Sequence, residues 1–274
     1  MGRRAKPQSQ LGNAVSACRL HIVVDLHSHI LPGVDDGARS FEDSVEIAIA
    51  AARDGTTVMA ATPHVRDDFP TAAATMERLV HELNGLLREK GIELQILGGA
   101  EIAIQSLQTI GSDELRRFGL GGNPRYLLVE FPYFGWPLSL EFEIDKLKRS
   151  GVTTVLAHPE RNPQVQEATA RMAPLVAAGA LVQLTAASVD GRLGGRCRKA
   201  ARELIAAGHA HLIASDAHRP GLRRPGTTSA AAALRKPELA RWLTHDVPAA
   251  IVQDLTIPKP PPNRQNARRR LFRL

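Results

Sequence analysis

Cysteine is scarce in this sequence of 274 residues, which contains only Cys18 and Cys197. Neither cysteine has a partner at the spacing of a zinc site, and so small a number does not indicate an oxidising compartment. No apolar run reaches the ~18 residues that a membrane span needs, and the N-terminus lacks the apolar segment of a signal peptide. These absences predict a cytoplasmic protein.

Acidic residues are missing from both ends of the chain, although the whole sequence carries a formal net charge of +7. Residues 1–20 contain four basic residues and residues 264–274 contain five, which leaves residues 21–263 with a net charge of −2. The basic character therefore belongs to two tails. We expect solvated, flexible arms that are able to touch anionic surfaces and that bind no specific nucleic acid.

A histidine pair, His27 and His29, follows the short apolar run at residues 21–24. Residues two apart along a strand point to the same side, so both imidazoles are able to reach one metal ion. The next residues, 31–37, read LPGVDDG, as expected of a loop that leaves a strand. A single His-x-His pair also occurs on ordinary surfaces, so the metal interpretation depends on further ligands elsewhere in the chain.

Five further short apolar runs each end in a histidine or a carboxylate. They lead into the sequences TPH at 62–64, GAE at 99–101, EFP at 130–132, HPER at 158–161 and SDAH at 215–218. The carboxyl ends of parallel strands share one face in an α/β barrel, which is where such enzymes place their catalytic groups. The pattern predicts a metal site on that face.

Helical periodicity occupies the segments between the runs, and a glycine follows each segment, as at a helix C-terminus. The predicted helices span residues 40–54, 71–90, 140–150, 163–178 and 195–207. Alternating strands and helices with short loops indicate an α/β fold with parallel strands. Six or seven such units are present, fewer than in a complete eightfold barrel. We expect a basic arm at 1–20, one barrel domain at 21–256, and a Pro-rich linker with a basic tail at 257–274.

Together the motifs DLHSHILPGVDDG, ATPH, GAE, EFP, AHPER and SDAH resemble the polymerase-and-histidinol-phosphatase (PHP) superfamily over residues 22–225. Within it, HILPGVDDG, EFP and AHPER are similar to the bacterial manganese-dependent protein-tyrosine phosphatases of capsule and exopolysaccharide synthesis. The resemblance implies a distorted, TIM-like (β/α)7 barrel, the PHP fold, with a trinuclear centre of Mn²⁺. Fe, Zn, Co or Mg are the alternative metals. The implied partner is a phosphotyrosine protein, such as a bacterial tyrosine kinase of polysaccharide synthesis.

The resemblance also implies three ligand groups. One metal would be held by His27, His29, Glu101 and Asp216. Glu101 would bridge to a second, completed by Glu130 and His158, and the third would be held by Asp36, His64 and His218.

Two arginines are expected to bind the phosphoryl group, because guanidinium geometry matches phosphate oxygens. Arg161 follows His158 by three residues, and the second arginine is either Arg223 or Arg224. Clustered divalent ions neutralise the phosphoryl oxygens and lower the pKa of a bound water, which suits phosphomonoester hydrolysis.

Some neighbouring residues are expected to have supporting roles. Asp25 is expected to orient His27 or to cap backbone amides, and Asp35 to cap its loop or support a ligand. Asn162 replaces an aromatic residue that is usual in relatives, and with only two tyrosines and two tryptophans the pocket is expected to lack an aromatic wall. Five histidines outside the motifs are expected to be ordinary surface or strand-edge residues: His21, His81, His209, His211 and His245.

Three functions remain open. The favoured one is a metal-dependent phosphatase acting on phosphotyrosine in proteins. The second is a PHP phosphoesterase acting on a small phosphate, such as histidinol phosphate, or on an oligonucleotide. The third is a non-catalytic regulatory protein that binds a kinase through its tails, which nine retained ligand positions argue against.

Overall fold

Parallel strands alternate with helices along most of the chain. The computed structural model describes residues 23–218 and 223–262. Its ten strands are β1 Val24–Asp25, β2 Val58–Ala60, β3 His64–Arg66, β4 Phe69–Pro70, β5 Gln95–Leu97, β6 Glu101–Ala103, β7 Tyr126–Glu130, β8 Thr153–Ala157, β9 Leu181–Thr185 and β10 Leu212–Ala214.

Eleven α-helices lie in the described ranges. They are α1 Phe41–Arg53, α2 Ala73–Glu89, α3 Ser112–Arg117, α4 Leu140–Arg149, α5 Pro163–Glu167, α6 Ala173–Ala178, α7 Ala186–Asp190, α8 Gly195–Ala207, α9 Thr228–Leu234, α10 Pro237–Arg241 and α11 Val247–Val252. A π-helical turn at Trp242–Asp246 joins α10 to α11, and 3₁₀ turns occupy Ile104–Gln108, Pro159–Arg161 and Thr169–Met172.

The strands form two hydrogen-bonded sheets. One has the order β1-β2-β5, and the other has the order β10-β9-β8-β7-β6-β3-β4; every pairing is parallel except β3 with β4. The pair β2/β5 continues almost directly into the pair β3/β6, because the Ala61 amide donates to the Leu97 carbonyl and the Glu101 amide to the Pro63 carbonyl. The α/β class with parallel strands is therefore confirmed.

The exits of the first and last parallel strands, β1 and β10, lie side by side. Ser28 and Ala217 form an isolated parallel bridge. The Asp216 amide donates to the His27 carbonyl at 2.9 Å, and the His29 amide donates to the Ala217 carbonyl at 2.7 Å. Two sequence-distant motifs, His-x-His and Ser-Asp-Ala-His, are thereby held together by main-chain bonds.

Four of the five predicted helices are confirmed, as α1, α2, α4 and α8. The N-terminus of α1 is capped by Ser40, whose hydroxyl accepts a hydrogen bond from the Asp43 amide. The single helix predicted over 163–178 is wrong. Ala168 adopts φ −147° and ψ 82°, which interrupts the helix, and Pro174 cannot donate an amide to a preceding turn.

Several elements were not anticipated, including β9, the short α3 and the helical run from α9 to α11. The sequence of β9, LVQLT, is short and only partly apolar, and β9 lies between β8 and β10 in the sheet. Its neighbours, more than its own residues, determine that it is a strand.

The division into a basic arm, a barrel domain and a tail stays a prediction, because residues 1–22 and 263–274 lie outside the described residues. The beginning of the Pro-rich linker is described. There the Trp242 indole donates to the Pro258 carbonyl at 2.9 Å, which holds the linker on the body of the protein. Over the ranges that are described, no helix is long and apolar enough to cross a membrane.

A fully buried carboxyl group, that of Glu160, connects the exit of β8 to the end of β9. One of its oxygens accepts a hydrogen bond from the Thr185 amide at 2.9 Å, and the other has no hydrogen-bond partner. Burial raises the pKa of Glu160 to about 7, even though the Thr185 amide favours the charged form.

Glu160 predicts a pH dependence of stability. The pKa of Glu160 is about 7 in the folded protein, compared with the ordinary value of 4.5. Between pH 4.5 and pH 7 the folded state therefore binds more protons at this position than the unfolded state does. Its contribution to the free energy of unfolding accordingly falls as the pH rises from 5 to 7. We expect Glu160→Gln to reduce this fall by on the order of 2 kcal/mol, because the amide is neutral throughout. Urea unfolding of metal-stripped wild-type protein and Glu160→Gln at pH 5 and pH 7 measures the difference. An equal fall in the free energy of unfolding for the two proteins would contradict the raised pKa of Glu160.

Candidate metal centre

All nine predicted ligands converge in one cluster: His64 and Glu101 begin β3 and β6, Glu130 ends β7, and the others lie in the segments that follow β1, β8 and β10. Each lies within 4 Å of at least one other member of the set, and every one except Asp36 is buried. They are His27, His29, Asp36, His64, Glu101, Glu130, His158, Asp216 and His218.

The first group is centred on one oxygen of Glu101. The Nε2 atoms of His27 and His29 are 3.2 Å apart, and each lies 3.3 Å from Glu101 Oε2. Asp216 Oδ1 lies 3.7 Å from His27 Nε2 and 3.6 Å from His29 Nε2. His27, His29 and Glu101 place one ligand atom each around a common point, whereas Asp216 is grouped with His29 and His218 in a neighbouring set, so the four-ligand group that the resemblance implied stays a prediction.

The outer ring nitrogens of these histidines are occupied by hydrogen bonds. His27 Nδ1 lies 3.0 Å from Gln183 Oε1, and His29 Nδ1 lies 2.7 Å from Asp35 Oδ2. A glutamine oxygen and a carboxylate oxygen accept hydrogen bonds, so each Nδ1 is the donor and each Nε2 faces the cluster. Outer partners of this type fix the tautomer and orientation of metal-ligating histidines.

The second group departs in part from the arrangement that the resemblance implied. His158 Nε2 lies 2.8 Å from Glu101 Oε1, as expected for a bridging Glu101. The Glu130 carboxylate, however, lies close to ligand atoms of His64 and Glu101, and this set does not include His158. It is also 3.2 Å from a guanidinium nitrogen of Arg66. The pairing with Arg66 draws Glu130 towards the edge of the cluster.

The third group surrounds Asp36, whose side chain is 45% exposed and so opens the cluster to solvent. Asp36 Oδ1 lies 3.5 Å from His64 Nε2 and 3.3 Å from His218 Nε2. His218 Nδ1 lies 3.0 Å from the Asp216 carbonyl oxygen and donates to it, which leaves Nε2 facing Asp36. His29 lies with Asp36 and His64 in one set and with Asp216 and His218 in another, so the third implied group stays a prediction.

The electrostatics of the cluster favour ionised carboxylates at its centre. Burial alone would raise the pKa of Glu101 and Asp216, but the surrounding histidines, together with Arg223 at Asp216, hold both well below their usual range. Glu130 behaves differently: burial and the nearby Glu101 charge raise its pKa to about 7. A second negative charge next to Glu101 is thus disfavoured until positive charge is supplied.

Several buried atoms in the cluster have no hydrogen-bond partner: both oxygens of Glu101, Oδ1 of Asp216 and Nδ1 of His64 and of His158. A buried carboxylate oxygen without a donor is costly in a protein interior. Divalent cations satisfy such oxygens together with imidazole nitrogens, and a mixed set of carboxylates and imidazoles suits first-row metals. The residues present therefore fit the implied metals.

Two of the ligands occupy the left-handed backbone region. His158 has φ 37° and Asp216 has φ 54°, and neither is a glycine. Such residues are uncommon and concentrate at functional sites, where the surrounding structure maintains the strain. Here the His158 amide bonds to the Gln183 carbonyl and the Asp216 amide to the His27 carbonyl, which turns both side chains inward.

The arginines are distinguished by the structure. One guanidinium nitrogen of Arg161 lies 2.8 Å from Asp216 Oδ2, and Arg223 contacts the same oxygen. Arg223 also lies 2.7 Å from His218 Nε2. The Arg224 side chain is exposed, so Arg223 is the one of the two that the fold brings to the cluster.

The supporting aspartates lie where they were expected. Asp25 Oδ1 accepts from the Ser215 amide at 2.9 Å, which caps the main chain between the two motifs. Asp35 supports His29 from outside the cluster and accepts from the amides of Gly37 and His64. Of the histidines outside the motifs, His81 is exposed, His209, His211 and His245 are half-buried, and His21 lies outside the described residues.

The expectation that the pocket lacks an aromatic wall is wrong. The Tyr133 ring stacks on His158 with a centroid separation of 5.9 Å, and the Phe69 ring stacks on His64 at 5.8 Å. Few aromatic residues are present, but two of them flank the cluster. Composition counts residues and does not locate them; the position of Tyr133 two residues after Phe131 in the EFP loop was the available signal.

Arg66 was also missed. It follows His64 by two residues, so it leaves β3 on the same side as that ligand, and it reaches both Glu130 and Asp68. The alternation of His64 and Arg66 was the available signal.

Fold and site together define a mixed α/β protein with a buried cluster of histidines and carboxylates that fits several divalent metals. The chain belongs to the family described as "Capsular polysaccharide synthesis, CpsB/CapC", whose model matches residues 23–251. That range includes every predicted metal ligand and all three arginines.

Relatives of the chain are tyrosine phosphatases. It is 34% identical over 255 residues to the tyrosine-protein phosphatase YwqE of Bacillus subtilis, covering 91% of this chain and 99% of the relative. It is 27% identical over 244 residues to the tyrosine-protein phosphatase CpsB of Streptococcus pneumoniae, covering 86% of this chain and 100% of the relative.

Two solved structures resemble the fold of this chain. A structure described with YwqE and CpsB as unique metal-dependent tyrosine phosphatases matches with a TM-score of 0.78 and 32% identity, over 88% of this chain and all of that one. The 5-methylcytosine deaminase of Klebsiella pneumoniae matches with a TM-score of 0.52 over 87% of this chain and 77% of its own. At 12% identity it shares the fold alone.

The contact between Asp35 and His29 generates a prediction. Burial alone would lower the pKa of His29, but Asp35 and Glu101 reverse this and raise it to about 10. In the metal-free protein, Asp35→Asn should move the His29 pKa from about 10 towards the ordinary value of 6.5, because the adjacent negative charge is lost. NMR titration of the histidine ring protons measures this; Asp145→Asn, at the half-buried position on α4 where Asp145 pairs with Arg149, is the matched control. An unchanged His29 pKa in Asp35→Asn would rule out the proposed cause.

Proposed function

We propose that this protein is a metal-dependent phosphatase that hydrolyses phosphotyrosine in proteins. The observation that carries the proposal is the convergence of five histidines and three further carboxylates around Glu101, all buried except Asp36, with two arginines on Asp216. Phosphate-ester hydrolysis needs positive charge around the phosphoryl oxygens and a hydroxide nucleophile near neutral pH, and divalent metals supply both when bound. The relatives named above are tyrosine-protein phosphatases.

Three divalent metals, with Mn²⁺ favoured, are proposed for the site. His27, His29, Glu101 and Asp216 would hold one, Glu101, Glu130 and His158 the second, and Asp36, His64 and His218 the third. Mixed oxygen and nitrogen ligands accommodate Mn²⁺, and softer thiolates are missing from the set. The raised pKa of Glu130 supports a cation next to it, since added positive charge offsets both its burial and its repulsion from Glu101.

Arg161 and Arg223 are proposed to bind the phosphoryl group of the substrate. Both guanidinium groups meet at Asp216, beside the proposed metal ligands, and their planar geometry matches phosphate oxygens. A phosphoryl oxygen is able to take the place of the carboxylate oxygen as the acceptor of their hydrogen bonds. The same two residues then neutralise the charge that develops on the transferred group.

The proposed partner is a bacterial tyrosine kinase of polysaccharide synthesis. Support comes from the family, which is described by its role in capsular polysaccharide synthesis, and from relatives that act on phosphotyrosine in proteins. A distorted (β/α)7 barrel is proposed as the complete architecture. The parallel strands occupy seven positions when β2 is counted with β3 and β5 with β6: β1, β2/β3, β5/β6, β7, β8, β9 and β10. These seven positions and the bridge between Ser28 and Ala217 support the barrel.

Removing the central carboxylate tests the metal requirement. Glu101→Gln should lower phosphotyrosine phosphatase activity roughly a hundredfold or more, and should lower the manganese bound per chain, because the amide cannot neutralise a cation. Turnover of a phosphotyrosine peptide and metal content by mass spectrometry are the measurements, with the exposed Glu82→Gln as control. Full activity of Glu101→Gln, or of metal-stripped wild type, is the outcome that excludes the mechanism. A preference for histidinol phosphate or an oligonucleotide over phosphotyrosine peptides would exclude the proposed substrate.

The neighbouring arginines provide a matched pair for the phosphate site. Arg223→Ala and Arg161→Ala should each reduce kcat/KM by roughly a hundredfold, the scale of losing one preorganised donor to a developing charge. Arg224→Ala removes the same group from the exposed neighbouring position and should leave kcat/KM within about twofold. Steady-state kinetics with p-nitrophenyl phosphate compares them. Equal losses in Arg223→Ala and Arg224→Ala would contradict the assignment.

A further inference from the structure

The loop between β7 and α4, residues 131–139, forms one edge of the metal cluster and is here called the rim loop. Its first residue, Phe131, is buried and anchors it. Two of its apolar side chains face solvent, with Phe134 83% exposed and Leu138 92% exposed. Large apolar side chains exposed together beside a site are typical of a contact surface.

Tyr133 brings the rim loop into contact with the catalytic groups. Its ring lies nearly parallel to that of His158, at an interplanar angle of 16°, and the Arg161 guanidinium carbon is 4.8 Å from the ring centroid. Burial raises the pKa of the Tyr133 phenol to about 12, so the group is neutral near pH 7. Tyr133 therefore offers an uncharged aromatic surface next to an arginine proposed to bind phosphate.

Asn162 holds the rim loop in place. Its side-chain amide donates to the Pro132 carbonyl at 2.7 Å and to the Gly135 carbonyl at 3.0 Å, on either side of Tyr133. Its side-chain oxygen accepts from the Gln164 and Val165 amides at the start of α5. The buried Asn162 side chain thus uses both its amide group and its oxygen to join the rim loop to the start of α5, directly after Arg161.

Phe69 offers a useful comparison on another edge of the cluster. It stacks on His64 at an interplanar angle of 17°, and the Arg66 guanidinium carbon is 5.1 Å from its ring. Arg66 is neutralised by two carboxylates, Glu130 and Asp68, at 3.2 Å and 2.7 Å. Arg161 shares a single carboxylate, Asp216, with Arg223, so the cationic groups free to attract a phosphate lie on the Tyr133 edge.

We propose that Tyr133 is a specificity-determining residue that contacts the aromatic ring of the substrate, and that Asn162 is its positioning residue. The inference rests on the proposed phosphatase function and adds the reason for a preference for aryl over alkyl phosphate esters. Contact between two aromatic rings favours the aryl group, whereas the arginines and the metals recognise the phosphoryl group alike in both esters.

The test measures binding, so that it does not depend on turnover. Phenylphosphonate and methylphosphonate are titrated by calorimetry into the Mn²⁺-loaded full chain, and the ratio of their affinities is the readout. Tyr133→Ala should reduce the phenylphosphonate affinity roughly threefold to tenfold, the scale of one aromatic pair, and change the methylphosphonate affinity less than about twofold. Tyr133→Phe keeps the ring and should retain the wild-type ratio.

Two further variants separate a specific role from a structural one. Phe69→Ala removes the matched ring and should leave the ratio unchanged. Asn162→Asp keeps the helix-capping oxygen and removes the two amide donors to the rim loop, so it should lower the ratio in the same direction as Tyr133→Ala. An unchanged ratio in Tyr133→Ala, or an equal fall in the ratio for Phe69→Ala, overturns the proposal.

Failure of this inference and failure of the proposed function give different results. Wild-type protein that prefers phenylphosphonate through Tyr133 but hydrolyses no phosphate ester overturns the phosphatase function and supports the aromatic contact. Wild-type protein that hydrolyses phosphotyrosine peptides, with a ratio that Tyr133→Ala does not alter, supports the function and overturns the role of Tyr133.

Discussion

The arrangement of the site depends on one buried carboxylate, that of Glu101. Its two oxygens lie within 3.3 Å of four imidazole rings, those of His27, His29, His64 and His158, and neither oxygen receives a well-oriented hydrogen bond. Such a charge is stable in the interior only if cations surround it. The strand exits, the outer partners of the histidines and the positive φ values at His158 and Asp216 all bring positive or metal-binding groups to this one side chain.

The fold supplies this convergence through main-chain bonds. Parallel pairing fixes the register of His64 beside Glu101 and of Ala103 beside Glu130. Bonds between the exits of β1 and β10 fix His27 beside Asp216. The ligands next to paired strands therefore move with the sheet, whereas Asp36 is placed by the loop between β1 and α1.

Much of this was predictable because strand periodicity and strand ends are local signals. His27, His29 and Glu101 could be assigned from runs of apolar residues and their terminators. The contacts of Arg223, Arg66 and Tyr133 were harder, since a loop residue is placed by partners distant in sequence. Arg223 and Arg224 are equivalent along the chain, and only the return of the loop to Asp216 distinguishes them. The break at Ala168 and the strand β9 likewise depend on tertiary packing.

The sharing of Asp216 has a consequence for turnover. One of its oxygens accepts hydrogen bonds from both Arg161 and Arg223 while the other faces the histidines, so the arginines already bind an anion that belongs to the protein. On the proposed role of the two arginines in binding the phosphoryl group, an arriving phosphate must replace this internal competitor, and a departing one is replaced by it. The net affinity for free phosphate is lower than two unpaired arginines would give, which favours release of the product over its retention.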